Sequence, residues 1–326
     1  MPRIAHLTEA GILSRILPIL ADPAPDSDAS LEVGPGDDAA VLRLRSPRLV
    51  ISTDTLSEGE DFLPGTTTPT AIGHKVAVQN LADIAAMGAR PRGILVALSA
   101  PGSTPAAVLE GISHGLASVC ARYGVAVLGG DLGGAQRLTI TATAVGDLAE
   151  TDRPVLRGGA RAGDVLAVAS PGLGRSGAGL AAIGAGAAEN LGDLVAWHNA
   201  PDPDLAVGWR VAPAAATAMI DVSDGLVRDA GRLAAAGELV VDLDRTALEA
   251  DVRQLAAAGE QLQLDPWSWV LHGGEEHALL ATFPPDAVPE PFRPIGNMST
   301  PQEGAAAGTV RLDGDPVVTE GWDHFA

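Results

Sequence analysis

Seven aspartates in this chain share one kind of setting. Asp37 and Asp38 follow Gly34-Pro35-Gly36, Asp54 closes Leu49-Val50-Ile51-Ser52-Thr53, and Asp131 follows Gly129-Gly130. Asp221 and Asp224 stand in Asp-Val-Ser-Asp-Gly, and Asp83 interrupts a stretch that is otherwise Ala, Val and Ile. Any one of them has an ordinary explanation as a polar turn or a helix end. Seven in one context ask for a cation, because clustered carboxylates repel one another unless something neutralises them. Oxygen ligands at strand ends suit Mg²⁺, which keeps several waters and is shared with phosphate. The chemistry open to such a set is phosphoryl transfer, with metal ions neutralising charge that spreads in a loose transition state.

Composition narrows the class. The chain has 326 residues, long enough for two domains with a core each, and aromatics make up only 3% of it. The core must therefore be built from Ala, Val, Leu and Ile. A net charge of −20 argues against holding nucleic acid or an anionic membrane through a positive field. The single Cys120 excludes an internal disulfide and fits a reducing cytoplasm. No apolar run reaches spanning length and no leader pattern opens the chain, so the expectation is a cytoplasmic protein. Lys75 is the only lysine. A P-loop lysine after a glycine-rich turn is absent, as are the protein-kinase motifs. Bound phosphates would rest on arginines, backbone amides and metal.

The positioning elements follow from periodicity and punctuation. A helix is expected over Glu9–Leu20 behind a Thr8 cap, and a loop over Asp22–Ser30. The apolar runs at 39–44 and 49–51 read as an antiparallel pair, placing Asp37, Asp38 and Asp54 at one end of a ladder. A Gly- and Thr-rich loop, Thr55–Thr68, precedes a helix over Pro69–Gly88. On that helix Asn80 and Asp83 either face solvent or are ligands carried by a buried helix. Strands are expected at 93–100, 125–128 and 138–145, with a helix over 105–122. Asp131 then lies just past a strand's C-terminal end, where open α/β sheets bind ligands. An Arg- and Gly-rich boundary at 151–164 separates a domain of residues 1–150 from one of 151–326. The second half offers strands at 165–169, 218–220, 239–243, 278–283, 292–295 and 309–312, and helices at 225–236 and 246–258.

Three motifs have plainer readings. Gly172-Leu-Gly-Arg-Ser-Gly177 is formally the dinucleotide fingerprint, but no second strand and closing acid follow it, so a tight turn is the better reading. Ser223 lacks a nucleophile elbow and reads as a helix N-cap with Asp224 beside it. His272 and His277 do not have zinc-protease spacing. The residues alone lead to a Mg-nucleotide enzyme and no further.

Larger blocks carry a resemblance. Gly34-Pro-Gly-Asp-Asp-Ala-Ala-Val-Leu42, Ser52-Thr-Asp-Thr-Leu56, Lys75 to Ala89, Gly129-Gly-Asp131, Asp221 to Leu226, Gly273-Gly-Glu275 and the closing Trp322-Asp-His-Phe resemble thiamine-monophosphate kinases, in order over nearly the whole chain. That family is grouped with aminoimidazole ribonucleotide synthetase and selenophosphate synthetase. The resemblance implies an α/β fold with mixed sheets in two domains, the first forming a homodimer through its sheet, with ATP in the groove between the domains. It implies that Asp38, Ser52, Thr53, Asp54, Asp83, Asp131, Asp221 and Asp224 hold several Mg²⁺ ions. Gly130, Asp131, Arg157 and Ser223 would contact ATP, and Glu275 and Trp322 the thiamine moiety. The implied reaction moves the γ-phosphoryl of ATP onto thiamine monophosphate. Its acceptor is already an anion, so no general base is expected.

Departures from the family pattern fall around the acceptor. Asp61 stands where the family carries His, Glu276-His277 where it carries Asp-Tyr or similar, and Asn199–Asp204 where an Arg-Pro-rich segment is usual. Asp61 is expected to replace the His by facing the cationic thiazolium ring. Two alternatives share the same motifs: a sister phosphotransferase with another small acceptor, and a metal- or nucleotide-binding protein without turnover.

Overall fold

The computed structural model describes residues 2–21, 30–35, 39–148, 153–302, 305–318 and 320–321. Asp37, Asp38 and Trp322 lie outside these residues, as do residues 22–29 of the loop expected over Asp22–Ser30, whose last residue instead opens a strand. The chain divides into two compact units, Met1–Ile84 with Ala89–Asp152, and Ala85–Gly88 with Arg153–Ala326. The fold is α/β with mixed sheets, as the residues and the resemblance both led one to expect.

In the first unit α1 (Glu9–Leu20) begins where expected, Gly11 N donating to Thr8 Oγ1 at 3.1 Å. β1 (Ser30–Val33) pairs antiparallel with β2 (Val41–Arg43), and the Arg43 guanidinium meets Glu32. β3 (Leu49–Ser57) therefore does not pair with the 41–44 run, contrary to the sequence expectation. Its partner is β6 (Thr139–Asp147), in register from Leu49↔Asp147 to Ser57↔Thr139. A nine-residue ladder outweighs the three-residue strand nearby, and the polar Ser52-Thr53-Asp54-Thr55 lies inside it. Between β2 and β3 the Arg45 N–H donates to Asp147 Oδ2 of β6 at 2.8 Å.

α2 (Pro69–Ala86) starts at a Thr68 cap, Ala71 N donating to Thr68 Oγ1 at 3.1 Å. β4 (Arg90–Ala100), α3 (Ala106–Tyr123) and β5 (Ala126–Gly134) form a parallel crossover, and the sheet order is β3-β6-β4-β5. α2 is buried nearly all round through Val76, Ala77, Val78, Leu81, Ala82 and Ile84. It approaches α3 so closely that a Cβ on Gly115 would sit 1.9 Å from Thr70 O. Asn80 is 2% exposed and donates to Val76 O, so it does not face solvent.

The second unit holds a seven-stranded sheet in the order β13-β12-β9-β11-β7-β10-β8. In chain order these elements are β7 (Val165–Ala169), α4 (Arg175–Gly184), α5 (Gly192–Asn199), α6 (Val207–Arg210), β8 (Ala218–Asp221) and α7 (Leu226–Ala236). β9 (Val240–Leu243), α8 (Arg245–Gln254), α9 (Ala256–Leu262), α10 (Pro266–His272) and β10 (Leu279–Phe283) follow, then β11 (Arg293–Ser299), β12 (Val310–Leu312) and β13 (Asp315–Pro316). All pairings are antiparallel except β12 with β9. The single helix expected over 246–258 is two, because the chain turns at Leu255 so that Leu248, Leu255 and Ala258 all enter the core. That core is Ala, Val, Leu and Ile with a few larger side chains, as the aromatic-poor composition requires.

Candidate functional site

The first unit offers its carboxylates from regular structure. Asp54 is the sixth residue of nine-residue β3, not its end, and Asp131 lies within β5, not beyond it. Serine, threonine and glycine look like punctuation at both strand ends, whereas long ladders carry them here. Ser52 Oγ donates to Asp83 Oδ2 at 2.6 Å, which brings β3 and α2 together at a half-buried pair. Asp54 accepts from Gln79 of α2 through Oδ2 and from Thr55 N through Oδ1 at 2.9 Å. Thr53 Oγ1 donates to Ala142 O at 2.9 Å. The register Thr55↔Thr141↔Ala97↔Asp131 puts Asp131 level with Thr55 but on the far edge strand, about 14 Å away at three strand spacings. Side chains alternate along β3, so Asp54 and Asp131 belong to opposite faces. Ser52, Asp54 and Asp83 are thus gathered against α2, while Asp131 is not among them. Gly130 and Asp131 border a cavity of about 380 Å³ whose walls include Ile16, Ile112, Leu116 and Val127.

Asp61 follows β3 in a turn. Its Oδ2 accepts from Ser57 N at 2.7 Å, and its backbone O accepts from the buried Lys75 Nζ at 3.2 Å. The one lysine is thereby spent on shaping this loop.

The second unit offers carboxylates from two loops strapped together. Asp221 ends β8, is 4% exposed, and its Oδ2 lies 3.1 Å from His277 Nδ1. Glu275 N donates to Ser223 O at 2.7 Å and His277 N to Val222 O at 2.8 Å, so residues 222–223 and 275–277 run as a short two-chain strap. Glycines permit the approach: a Cβ on Gly274 would meet Ser223 O at 2.5 Å. The N-cap of α7 is Gly225, at φ 115, and not Ser223 as expected. Ser223 is instead used through its carbonyl, which the strap requires. Asp224 N donates to Asp229 Oδ2 at 2.9 Å, and Arg232 Nη1 reaches Asp224 Oδ2 at 2.5 Å and Asp229 Oδ1 at 2.8 Å. Burial, and then the Asp221 carboxylate, push Asp229 up to about 6. Asp224 and Asp229 share one arginine, and Asp221 beside them meets His277, an excess of negative charge that a hard cation would relieve. Arg157 lies exposed on the short 3₁₀ turn Arg157–Gly159, which packs against α7 and β8.

Sequence reading missed what holds Glu275 and Glu276. Glu276 is fully buried; its Oε1 accepts from Ser176 N and its Oε2 from Trp197 Nε1, both at 2.8 Å. Burial pushes its carboxyl up to about 7 against these hydrogen bonds and the nearby Arg175. Arg175 stacks over the Trp197 ring at 3.7 Å. The Gly172–Gly177 turn is the packing turn expected, with Glu276 occupying the Ser176 amide in α4's first turn. Both Glu275 (φ 58) and His277 (φ 51) are left-handed, at roughly 1–2 kcal/mol each, and only the strap makes that tolerable. The sole signal in the sequence was the unusual pairing of Gly273-Gly274 with two acids.

Among the described residues, no three of His, Cys, Asp and Glu converge as a ready cage for a metal. The donors gathered at Ser52, Asp54 and Asp83 are all oxygen, the chemistry that Mg²⁺ prefers.

Residues 36–148 match the family described as AIR synthase related protein, N-terminal domain. Thiamine-monophosphate kinase of Mycobacterium tuberculosis is 40% identical over 325 residues, covering 99% of this chain and 93% of the relative. The chain belongs to the thiamine-monophosphate kinase family of enzymes. A crystal structure of thiamine-monophosphate kinase from Stenotrophomonas maltophilia K279a superposes with a TM-score of 0.78 at 29% identity, covering 94% of this chain and 97% of that one. AaThiL complexed with AMPPCP and TMP is 27% identical with a TM-score of 0.77, covering 100% and 99%. No helix of the described residues is long and apolar enough to cross a membrane.

Proposed function

We propose that the chain transfers the γ-phosphoryl group of ATP to the phosphate of thiamine monophosphate, giving thiamine diphosphate and ADP. The observation that carries this reading is likeness over the whole chain to a protein solved with AMPPCP and TMP, joined to 40% identity with a named kinase. An acceptor phosphate oxygen attacks the γ-phosphorus in line, a new P–O bond forms, and the bond to the β-phosphate oxygen breaks. The acceptor oxygen is anionic at the outset, so no side chain need take a proton; alignment and charge neutralisation lower the barrier.

Ser52, Asp54 and Asp83, gathered against α2, would hold one Mg²⁺; Thr53 and Asp131 on the other face of the sheet, Asp221 and Asp224 of the second unit, and Asp38 would serve further ions. Bound there, Mg²⁺ neutralises charge on the phosphates and on the carboxylates that crowd Asp229. Ser52 orients the Asp83 carboxylate, and Gln79 that of Asp54. Arg157, Gly130 and Ser223 would contact ATP, and the apolar cavity beside Gly130 suits its flat base. Glu275, with Trp322 and Asp61, would receive the thiamine moiety.

We also propose that residues 1–150 form the nucleotide- and metal-binding domain and residues 151–326 a second domain, and that the chain is a cytoplasmic homodimer. Leu49, Ile51 and Leu95 are 52%, 61% and 40% exposed on one face of the four-stranded sheet, an apolar patch suited to a second copy. The test of the activity is ADP release with ATP and Mg²⁺, with and without thiamine monophosphate. ADP formation that depends on the acceptor is expected; its absence would leave a binding protein.

A further inference from the structure

We propose that His198 is a positioning residue that aims the Glu275 carboxylate at the acceptor; this rests on the reading of Glu275 given above. His198, near the end of α5, is 6% exposed. Its Nδ1 lies 3.3 Å from Glu275 Oε2 and 3.0 Å from Ser176 Oγ. Ser176 is 1% exposed, and its N–H is held by Glu276, so the hydroxyl that meets the imidazole is itself fixed. α5 comes close because α4 offers Gly179, where a Cβ would lie 2.2 Å from Leu194 O and 2.8 Å from the His198 Cβ. The imidazole is therefore set by packing before any ligand arrives.

Glu275 is the opposite kind of residue. Its backbone is pinned in a left-handed conformation by the bond to Ser223 O, yet its side chain is 31% exposed. A glutamate has three rotatable bonds, and an exposed one samples many orientations. With Oε2 held 3.3 Å from a buried imidazole, the carboxylate is confined to a narrow range of orientations. The same Nδ1 meets Ser176 Oγ of α4, so α4 sets the imidazole and the imidazole sets the acid.

The test is a double-mutant cycle on steady-state constants of the full chain with ATP, Mg²⁺ and thiamine monophosphate. His198→Ala is expected to raise KM for thiamine monophosphate about tenfold while leaving KM for ATP at the wild-type value. His198→Asn, whose amide nitrogen can stand where Nδ1 stood, should recover most of that loss and serves if the alanine variant folds poorly. In a Glu275→Gln background, His198→Ala should add little, since the group it aims has lost its charge. Two results would overturn the proposal: an unchanged acceptor KM in His198→Ala, or an effect that simply adds to that of Glu275→Gln. If Glu275→Gln alone leaves the acceptor KM unchanged, the assignment of Glu275 fails, and this inference with it.

Discussion

The two carboxylate sets are built in different ways. In the first unit, Ser52, Asp54 and Asp83 project from a nine-residue strand and a buried helix, and each is held by one hydrogen bond or two from neighbouring elements. In the second, Asp221 closes β8 and Asp224 sits on the loop that follows, whose shape depends on a strap to residues 275–277 and on Arg232. The first set is an ornament on a scaffold that would stand without it. The second is part of what holds its own loops together, so stability and function should be coupled there and separable in the first.

The largest expected effect is on turnover in the first unit. Asp54→Asn and Asp131→Asn should each lower kcat by at least about a hundredfold, the scale of losing a charge that stabilises a transition state. Their melting temperatures should stay close to wild type, because little packing depends on either side chain. Activity near wild type at saturating Mg²⁺ would remove these residues from the metal site.

Arg232→Ala should reverse the pattern. It leaves Asp224 and the buried Asp229 without their shared cation, and a urea titration at pH 8 should show a loss of about 1–3 kcal/mol, between the values for exposed and for fully buried pairs because Arg232 is 41% exposed. Asp229→Asn in the same background should restore part of it. A variant as stable as wild type would show that the loop holds without the arginine.

What the sequence revealed follows the same division. Helices such as Glu9–Leu20 and Pro69–Ala86 were legible because caps and apolar spacing are local. Of the aspartates singled out together, Asp54 and Asp83 lie on neighbouring elements, while Asp131 stands on the far edge strand. Strand ends were misread at Asp54 and Asp131 because a polar residue in a long ladder looks like a stop. The strap was not legible at all: Ser176 and Glu276 are 100 residues apart, and nothing local marks Glu275 or His277 as left-handed.

A smaller effect belongs to Glu276. Its carboxyl is pushed up from an ordinary 4.5 to about 7, chiefly by burial. The native protein keeps this proton up to about pH 7, while the unfolded chain releases it near 4.5. Between those values stability from this group falls as pH rises, by at most about 1.4 kcal/mol per pH unit, and levels off above 7. Glu276→Gln should flatten stability against pH across that window. An unaltered pH profile would mean that the carboxyl titrates normally.

The smallest effect is expected at Asp61, whose Oδ2 is engaged by Ser57 N. Asp61→Ala should raise KM for thiamine monophosphate severalfold and leave KM for ATP alone. If both constants hold, Asp61 only shapes its turn.

The most direct test of the whole account is phosphorus NMR of a reaction mixture of the protein, ATP, Mg²⁺ and thiamine monophosphate. Direct transfer predicts that thiamine diphosphate and ADP appear in equal amounts, with no free phosphate and nothing when Mg²⁺ is chelated. ADP accompanied by free phosphate, or ADP formed without the acceptor, would contradict it.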